Sequence, residues 1–143
     1  MGKTIYTGTY HRNLDVKGRL LIPSRFSESF GAQVYVLRGH EGCLAIYDED
    51  GFQDLMRKYM AMDFEDPMER AKIRMAAASA HPTKIDAAGR VLLGKQLLED
   101  YGIEEEITLI GVFDHLEVWD KAAYARYMLA NGYAYDTPSR SRS

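Results

Sequence analysis

An α+β fold, rich in strands and built with internal pseudo-two-fold symmetry, is what this 143-residue chain predicts. Three observations carry the prediction. First, Asp15-Val-Lys-Gly-Arg19 followed by Leu-Leu-Ile-Pro-Ser recurs 71 residues later as Asp86-Ala-Ala-Gly-Arg90 followed by Val-Leu-Leu-Gly-Lys. Second, the segments downstream of each copy repeat in the same order. Third, each half, at roughly 70 residues, is too small to bury a comfortable core alone. Both halves should therefore donate strands to one sheet or barrel, with helices outside.

The elements follow in turn. Ser24 to Phe30 and Lys95 to Tyr101 read as short helices, each stopped by a glycine, Gly31 and Gly102. Gln33 to Arg38 and Glu106 to Gly111 are alternating or apolar strands, followed by Leu44-Ala-Ile-Tyr-Asp48 and Leu116-Glu-Val-Trp-Asp120. Asp50 and Asp120 are placed to cap the helices FQDLMRKYM and KAAYARYML, with Gln53 completing a capping box in the first. One helix breaks the symmetry. Asp66-Pro67-Met68-Glu69 supplies an N-cap, a proline and an acid for a run through Ser79 that joins the halves. The domain plan is thus a first repeat at 1–65, a linking helix at 66–80 and a second repeat at 81–132. The tail at 133–143, ending PSRSRS, is expected to be disordered.

Leu14-Asp-Val-Lys-Gly-Arg-Leu20 has hairpin chemistry, with Asp15 starting the turn and Gly18 where a positive φ costs little. Such a turn returns Asp15 alongside Arg19, so the carboxylate can hold the guanidinium in one orientation. A guanidinium so held keeps other N–H donors free for a phosphate oxygen or the O6/N7 edge of guanine. Asp86, Gly89 and Arg90 repeat the device. Lys17 at the turn tip would add a phosphate contact; Ala87-Ala88 in the second turn removes it.

Spread evenly, a net charge of −3 would argue against nucleic acid, but it is not evenly spread. Residues 1–40 carry +4, 41–70 carry −6, 71–95 carry +4 and 96–143 carry −5. The charge follows the repeat. A two-fold arrangement would gather Lys17, Arg19, Lys84 and Arg90, with Arg12 and Arg25, onto one basic face. No apolar run reaches the eighteen or so residues of a membrane span, and MGKTIYTGTYHRN has no signal-peptide core. The one cysteine, Cys43, lies in the apolar run CLAIY, reads as core, and fits a reducing cytoplasm.

Together, NLDVKGRLLIPSRF, KIDAAGRVLLGKQL and GVFDHLEVWD resemble the MraZ family of bacterial transcriptional regulators, related to the AbrB-type swapped-hairpin proteins. The likeness covers residues 5–130, and its signature is the paired Asp-x-x-x-Arg motif. It implies a swapped-hairpin β-barrel with flanking helices, made from two repeats of one subunit, and subunits closing into a homo-oligomeric ring. It also implies binding of double-stranded DNA at repeated G-rich operator boxes upstream of the division and cell-wall gene cluster, which the family represses. A cytoplasmic, nucleoid-associated protein with no cofactor, metal or membrane partner is expected. The family's motif residues fall on Asp15, Gly18 and Arg19, and on Asp86, Gly89 and Arg90. For DNA contact the order is Arg19 and Lys17 ahead of Arg90, then Arg12, Lys84 and Arg25.

Two rivals are weighed against this. An enzyme finds little support: His11, His40, His81 and His115 are scattered, without a metal-ligand pattern, phosphate loop or nucleophile elbow. A ring-forming protein-interaction scaffold without DNA readout is the other. Phe52, Leu55, Met56, Tyr59 and Met60 would be its docking stripe, although that spacing more commonly marks core packing.

Overall fold

A computed structural model describes the backbone of residues 3–140 and the side chains of residues 3–132. The first half runs β1 (Thr9–Asn13), β2 (Arg19–Leu21), α1 (Ser24–Ser27) with a 3-10 turn (Glu28–Phe30), β3 (Gln33–Arg38), β4 (Leu44–Tyr47) and α2 (Glu49–Met60). After α3 (Pro67–Ser79) the second half repeats the order. It runs β5 (His81–Lys84), β6 (Arg90–Leu92), α4 (Lys95–Asp100), β7 (Glu106–Gly111), β8 (Leu116–Asp120) and α5 (Lys121–Arg140). The tail expected to lack structure, 133–143, lies outside the residues whose side chains are described.

Strand partners are exchanged between the halves. In the six-stranded antiparallel sheet, β1-β7-β8-β4-β3-β5, the first strand of each half pairs with the third-placed strand of the other. Thr9 faces Ile110 in β7, and Gln33 in β3 faces Lys84. The halves meet again at the centre, where β4 pairs with β8, and in a separate two-stranded ribbon of β2 and β6. The pseudo-two-fold axis therefore passes between β4 and β8 and between β2 and β6.

The expected closed barrel is corrected here. β1 and β5 are the edges of an open sheet and do not pair with each other. Closure would need strands to bridge those edges, but β2 and β6 have three residues each and bond to one another. One isolated bridge, Ile85 to Val91, ties the ribbon to the end of β5.

Alternation divides the sheet into two faces. On one face, repeat-related pairs such as Leu20 and Val91, Ile22 and Leu93, Leu44 and Leu116, and Ile46 and Val118 are buried in a single core. Phe26 of α1 and Leu98 of α4 cap this core, and Tyr6 meets Phe26 with ring centroids 5.1 Å apart. The other face carries α2, α3 and α5. Leu37, Ala45 and Tyr47 form a smaller cluster there with Phe52, Leu55, Ala76 and Ala80. Trp119 packs on Tyr124 and Tyr127 of α5 at 5.3 and 4.9 Å.

Helix starts follow local chemistry. Asp66 caps α3 by accepting from Glu69 N at 2.9 Å, with Pro67 at the first position, as the sequence predicts. Asp120 accepts from Ala123 N at 3.3 Å. The cap of α2 is Asp48, not Asp50. Asp48 has an extended backbone and accepts from Gly51 N at 2.7 Å, which leaves Glu49 and Asp50 in the first turn. There their charge suits the helix dipole. Gln53 bonds Glu49 instead of closing a capping box.

Because Phe26 is buried in the shared core against Tyr6 and against Tyr10, whose ring centroid lies 6.0 Å away, Phe26→Ala is expected to destabilise the fold by about 3–5 kcal/mol. Urea unfolding followed by circular dichroism measures it.

Candidate nucleic-acid interface

Each Asp-x-x-Gly-Arg element forms a tight turn around its own carboxylate. In the first, Gly18 N donates to Asp15 O at 2.9 Å and Asp15 N donates to Arg19 O at 3.1 Å. Asp15 Oδ1 accepts from Lys17 N and Arg19 N, both at 2.9 Å, and Oδ2 accepts from Arg19 Nε at 2.7 Å. The second turn is nearly superposable in its bonding. Asp86 Oδ1 accepts from Ala88 N and Arg90 N at 2.9 Å, and Oδ2 accepts from Arg90 Nε at 3.0 Å. Gly18 and Gly89 hold φ of 77° and 87°, the left-handed backbone that lets each turn close.

The flanking strands do not continue as a hairpin. β1 leaves for β7, while β2 pairs with β6, so the two turns lie side by side across the halves. Gly18 O accepts from Leu93 N at 3.2 Å and Gly89 O from Ile22 N at 2.9 Å, which bolts each turn to the opposite strand. Arg90 Nη1 comes 4.0 Å from Asp15 Oδ2, so the first carboxylate touches both arginines.

The ribbon has an inner and an outer side. Leu20 and Val91 face the core, while Arg19, Leu21, Arg90 and Leu92 face outward. In register, Arg19 stands opposite Leu92 and Leu21 opposite Arg90, so two cations and two half-exposed leucines alternate diagonally. Each Nε is committed to a carboxylate, and the Arg19 and Arg90 side chains stay 30% and 37% exposed. Their geometry is fixed before any ligand arrives.

The other predicted residues are less closely gathered. Lys17 and Val16 are exposed at the tip of the first turn, Val16 at 97%. Arg12 sits on β1, donates to His11 O at 3.0 Å and lies 5.5 Å from the Tyr10 ring centroid. Lys84 lies on β5 opposite Gln33. These two occupy the strands leading into the turns, Arg12 on one sheet edge and Lys84 on the other. Arg25 is turned aside, donating to Thr7 Oγ1 at 3.0 Å and stacking on Phe26.

Sequence reasoning missed the outward Leu21 and Leu92 and the reach of Arg90 to Asp15. The alternation in Arg-Leu-Leu-Ile and Arg-Val-Leu-Leu was the available signal: it places the first and third residues together. The histidines behave differently from a catalytic set. His115 Nδ1 meets Asp114 at 2.6 Å and Nε2 meets Glu117 at 3.4 Å, with the ring stacked on Tyr47. Burial acts to lower its pKa, but the two carboxylates outweigh it and hold the imidazole above its ordinary value. Cys43 is buried, and burial pushes its thiol well up, which removes the thiolate a nucleophile needs. Among the described residues no cluster of three potential metal ligands occurs, and no helix is long and apolar enough to cross a membrane.

Electrostatics of the turns predict a pH dependence. The backbone N–H of Arg19 holds Asp15 below the usual carboxylate range, against partial desolvation, and the Arg19 guanidinium and Lys17 N–H add to it. Arg90 and Ala88 do the same for Asp86. A lowered folded-state pKa stabilises above the unfolded value of about 3.9 and is lost as pH falls through the folded value. Asp15→Asn and Asp86→Asn should therefore be less stable than wild type at neutral pH. In urea melts across pH, that difference should shrink below about pH 4.

Comparison with known proteins matches this duplicated architecture. The family model described as "MraZ protein, putative antitoxin-like" matches twice, over residues 5–75 and 76–132. A protein of Corynebacterium diphtheriae named "Transcriptional regulator MraZ" is 38% identical over 123 residues, 86% of each chain. One of the same name from Thermomicrobium roseum is 37% identical over 131 residues, 90% of this chain and 92% of that one. Another, from Acetivibrio thermocellus, is 34% identical over 123 residues, 86% of each. The names are those of a regulator and not of an enzyme. Each copy of the family match contains one Asp-x-x-Gly-Arg turn of the ribbon, and with both halves matched the chain belongs to the MraZ family.

Proposed function

We propose that the chain is a sequence-specific, DNA-binding transcriptional regulator, a repressor, whose paired Asp-x-x-Gly-Arg turns meet double-stranded DNA. The observation that carries this reading is the ribbon: two arginines from two halves, each held at Nε by its own carboxylate, stand on one outward face. A two-stranded ribbon is narrow enough to enter a major groove. Arg19 and Arg90 supply donors for guanine or phosphate, and Leu21 and Leu92 supply apolar contact for a thymine methyl. Lys17 adds a phosphate contact at the tip, with Arg12, Lys84 and Arg25 as outlying positive charges. Asp15 and Asp86 orient; Gly18 and Gly89 permit the turns.

The rest of the reading follows the family resemblance and the relatives' printed name. The exchange of first strands between halves supports the swapped-hairpin arrangement that the resemblance implies. Subunits assemble into a closed ring, so that one modest contact per subunit is multiplied on tandem operator boxes. The boxes lie upstream of the division and cell-wall gene cluster, and the protein works in the cytoplasm on the nucleoid.

A second reading, a protein-interaction scaffold without DNA readout, draws on the exposed Met56 and Met60 beside an apolar groove. Salt separates the two, because phosphate contacts release counterions and protein docking through an apolar groove does not.

A gel shift with the chain's own upstream region, comparing wild type, Arg19→Ala and Arg90→Ala, tests the proposal. Each substitution should weaken binding by about 1–3 kcal/mol per lost bidentate contact. Undiminished affinity in both folded variants would contradict it.

A further inference from the structure

The seam where the two halves meet at the centre of the sheet is short. β4 and β8 pair there through Leu44–Val118, Ala45–Glu117 and Ile46–Leu116. His115 flanks the seam on the helical face, with its side chain only 13% exposed. Its imidazole lies flat on Tyr47 of the other half, with ring centroids 4.6 Å apart and planes 15° apart. Nδ1 meets Asp114 Oδ1 at 2.6 Å and Nε2 meets Glu117 Oε2 at 3.4 Å. A neutral imidazole has one N–H and one lone pair, so one of its nitrogens would turn a lone pair toward a carboxylate. Only the imidazolium donates to both, and a cation is also favoured over the face of a phenol ring.

Both carboxylates are tied to other parts of the fold. Glu117 is largely buried and also accepts from Trp119 Nε1 at 3.0 Å. The first half reaches the same carboxylate through the Cys43 thiol. Asp114 backs onto the first turn of α2, where its carbonyl oxygen lies 3.1 Å from the place a Cβ on Gly51 would take. The ring thus touches β8 and β4 and, through Asp114, the start of α2. Cys43 precedes Leu44 as His115 precedes Leu116, so the first repeat carries no imidazole at the matching place.

We infer that His115 is a proton-operated latch on this seam, closed while the ring carries both protons and loosened when it carries one. The latch lies on the helical side of the sheet, opposite the core that the arginine ribbon caps, and does not depend on the proposed DNA contact.

Other ionisable groups among the described residues face the ring across a cavity of about 440 Å³. Arg38 and His40 approach from β3 and the loop after it, and Asp54, Lys58 and Tyr59 from α2. Asp54 is paired with Lys3 and Arg57, and Arg38 with the Tyr101 hydroxyl. Burial pushes the Tyr47 phenol and the Cys43 thiol well up, so both stay neutral while the ring titrates. Tyr124 of α5 faces Glu117, its phenol also raised by burial, and Glu41 lies near the Cys43 thiol. Desolvation opposes the charge on His115, and Glu117 and Asp114 together outweigh it. A folded-state pKa above the unfolded value stabilises fully below about pH 6.5, and the gain is lost as pH rises through the folded value.

Urea unfolding of the full chain at one protein concentration, from about pH 5.5 to 9, compares wild type with His115→Gln and His115→Arg. Glutamine is neutral throughout, and arginine is a permanent cation with a planar fork. Wild type should exceed His115→Gln below about pH 6.5 and lose that margin as pH rises. The loss is about tenfold in the folding constant for each unit between the folded and unfolded pKa. His115→Arg should show no such loss. NMR of the wild type needs no variant to fold: the His115 ring should titrate above the ordinary histidine value of about 6.5. Amide exchange along β4 and β8 should then quicken relative to His115→Arg at the same pH. A ring that titrates below the ordinary value, or a margin over His115→Gln that is constant with pH, would overturn the latch. So would His115→Arg losing stability in step with wild type, or seam exchange equal in the two at every pH.

Discussion

Each half of the molecule is organised by one carboxylate that accepts three N–H groups across a five-residue turn. At Asp15 these are two backbone amides and the Arg19 Nε, and at Asp86 the same set recurs with Ala88 and Arg90. The amides fix the turn and the Nε bond fixes the arginine, so backbone closure and side-chain orientation are one event. Glycine carbonyls in both turns then accept from the opposite half, which sets the register of the ribbon. An amide in place of either carboxylate keeps the shape but weakens three charge-assisted bonds together.

The exchange of strands between halves follows from the same constraint. A turn that sends its second strand to the partner ribbon leaves its first strand to find another edge, and β1 takes β7 while β5 takes β3. Two units that could not each fill a core thereby share one, with Leu20 and Val91 at its centre. The outer ribbon residues are then surplus to packing. Arg19, Leu21, Arg90 and Leu92 are free to serve recognition because Leu20, Ile22, Val91 and Leu93 hold the fold.

Much of this was legible in the sequence, for definite reasons. The turn residues, the alternation in Gln33–Arg38 and Glu106–Gly111, and the cap Asp66-Pro67 are local chemistry, and local chemistry is written in neighbouring residues. Strand partnership is not. Periodicity assigns Thr9–Asn13 a face but cannot say that its neighbour lies in β7 and not β2, nor that the sheet stays open. Asp48 and Asp50 are equally good caps as residues; the extended backbone at Asp48 decides between them. At the site, the Asp15–Arg19 pairing was readable from spacing, whereas Arg90 beside Asp15 depends on the inter-half ribbon.

The proposed function requires the turns to be the part of the molecule that touches DNA. Val16 and Ala87 sit exposed at the two tips, and Cys43 is buried, so a cysteine placed at either tip is the reactive thiol. Val16→Cys, Ala87→Cys and, as a control on the helical side, Ala77→Cys would each carry a photo-activated cross-linker in the presence of the upstream duplex. Cross-links to DNA from positions 16 and 87, and none from 77, are the predicted result. Cross-links from 77 with none from either turn would contradict it.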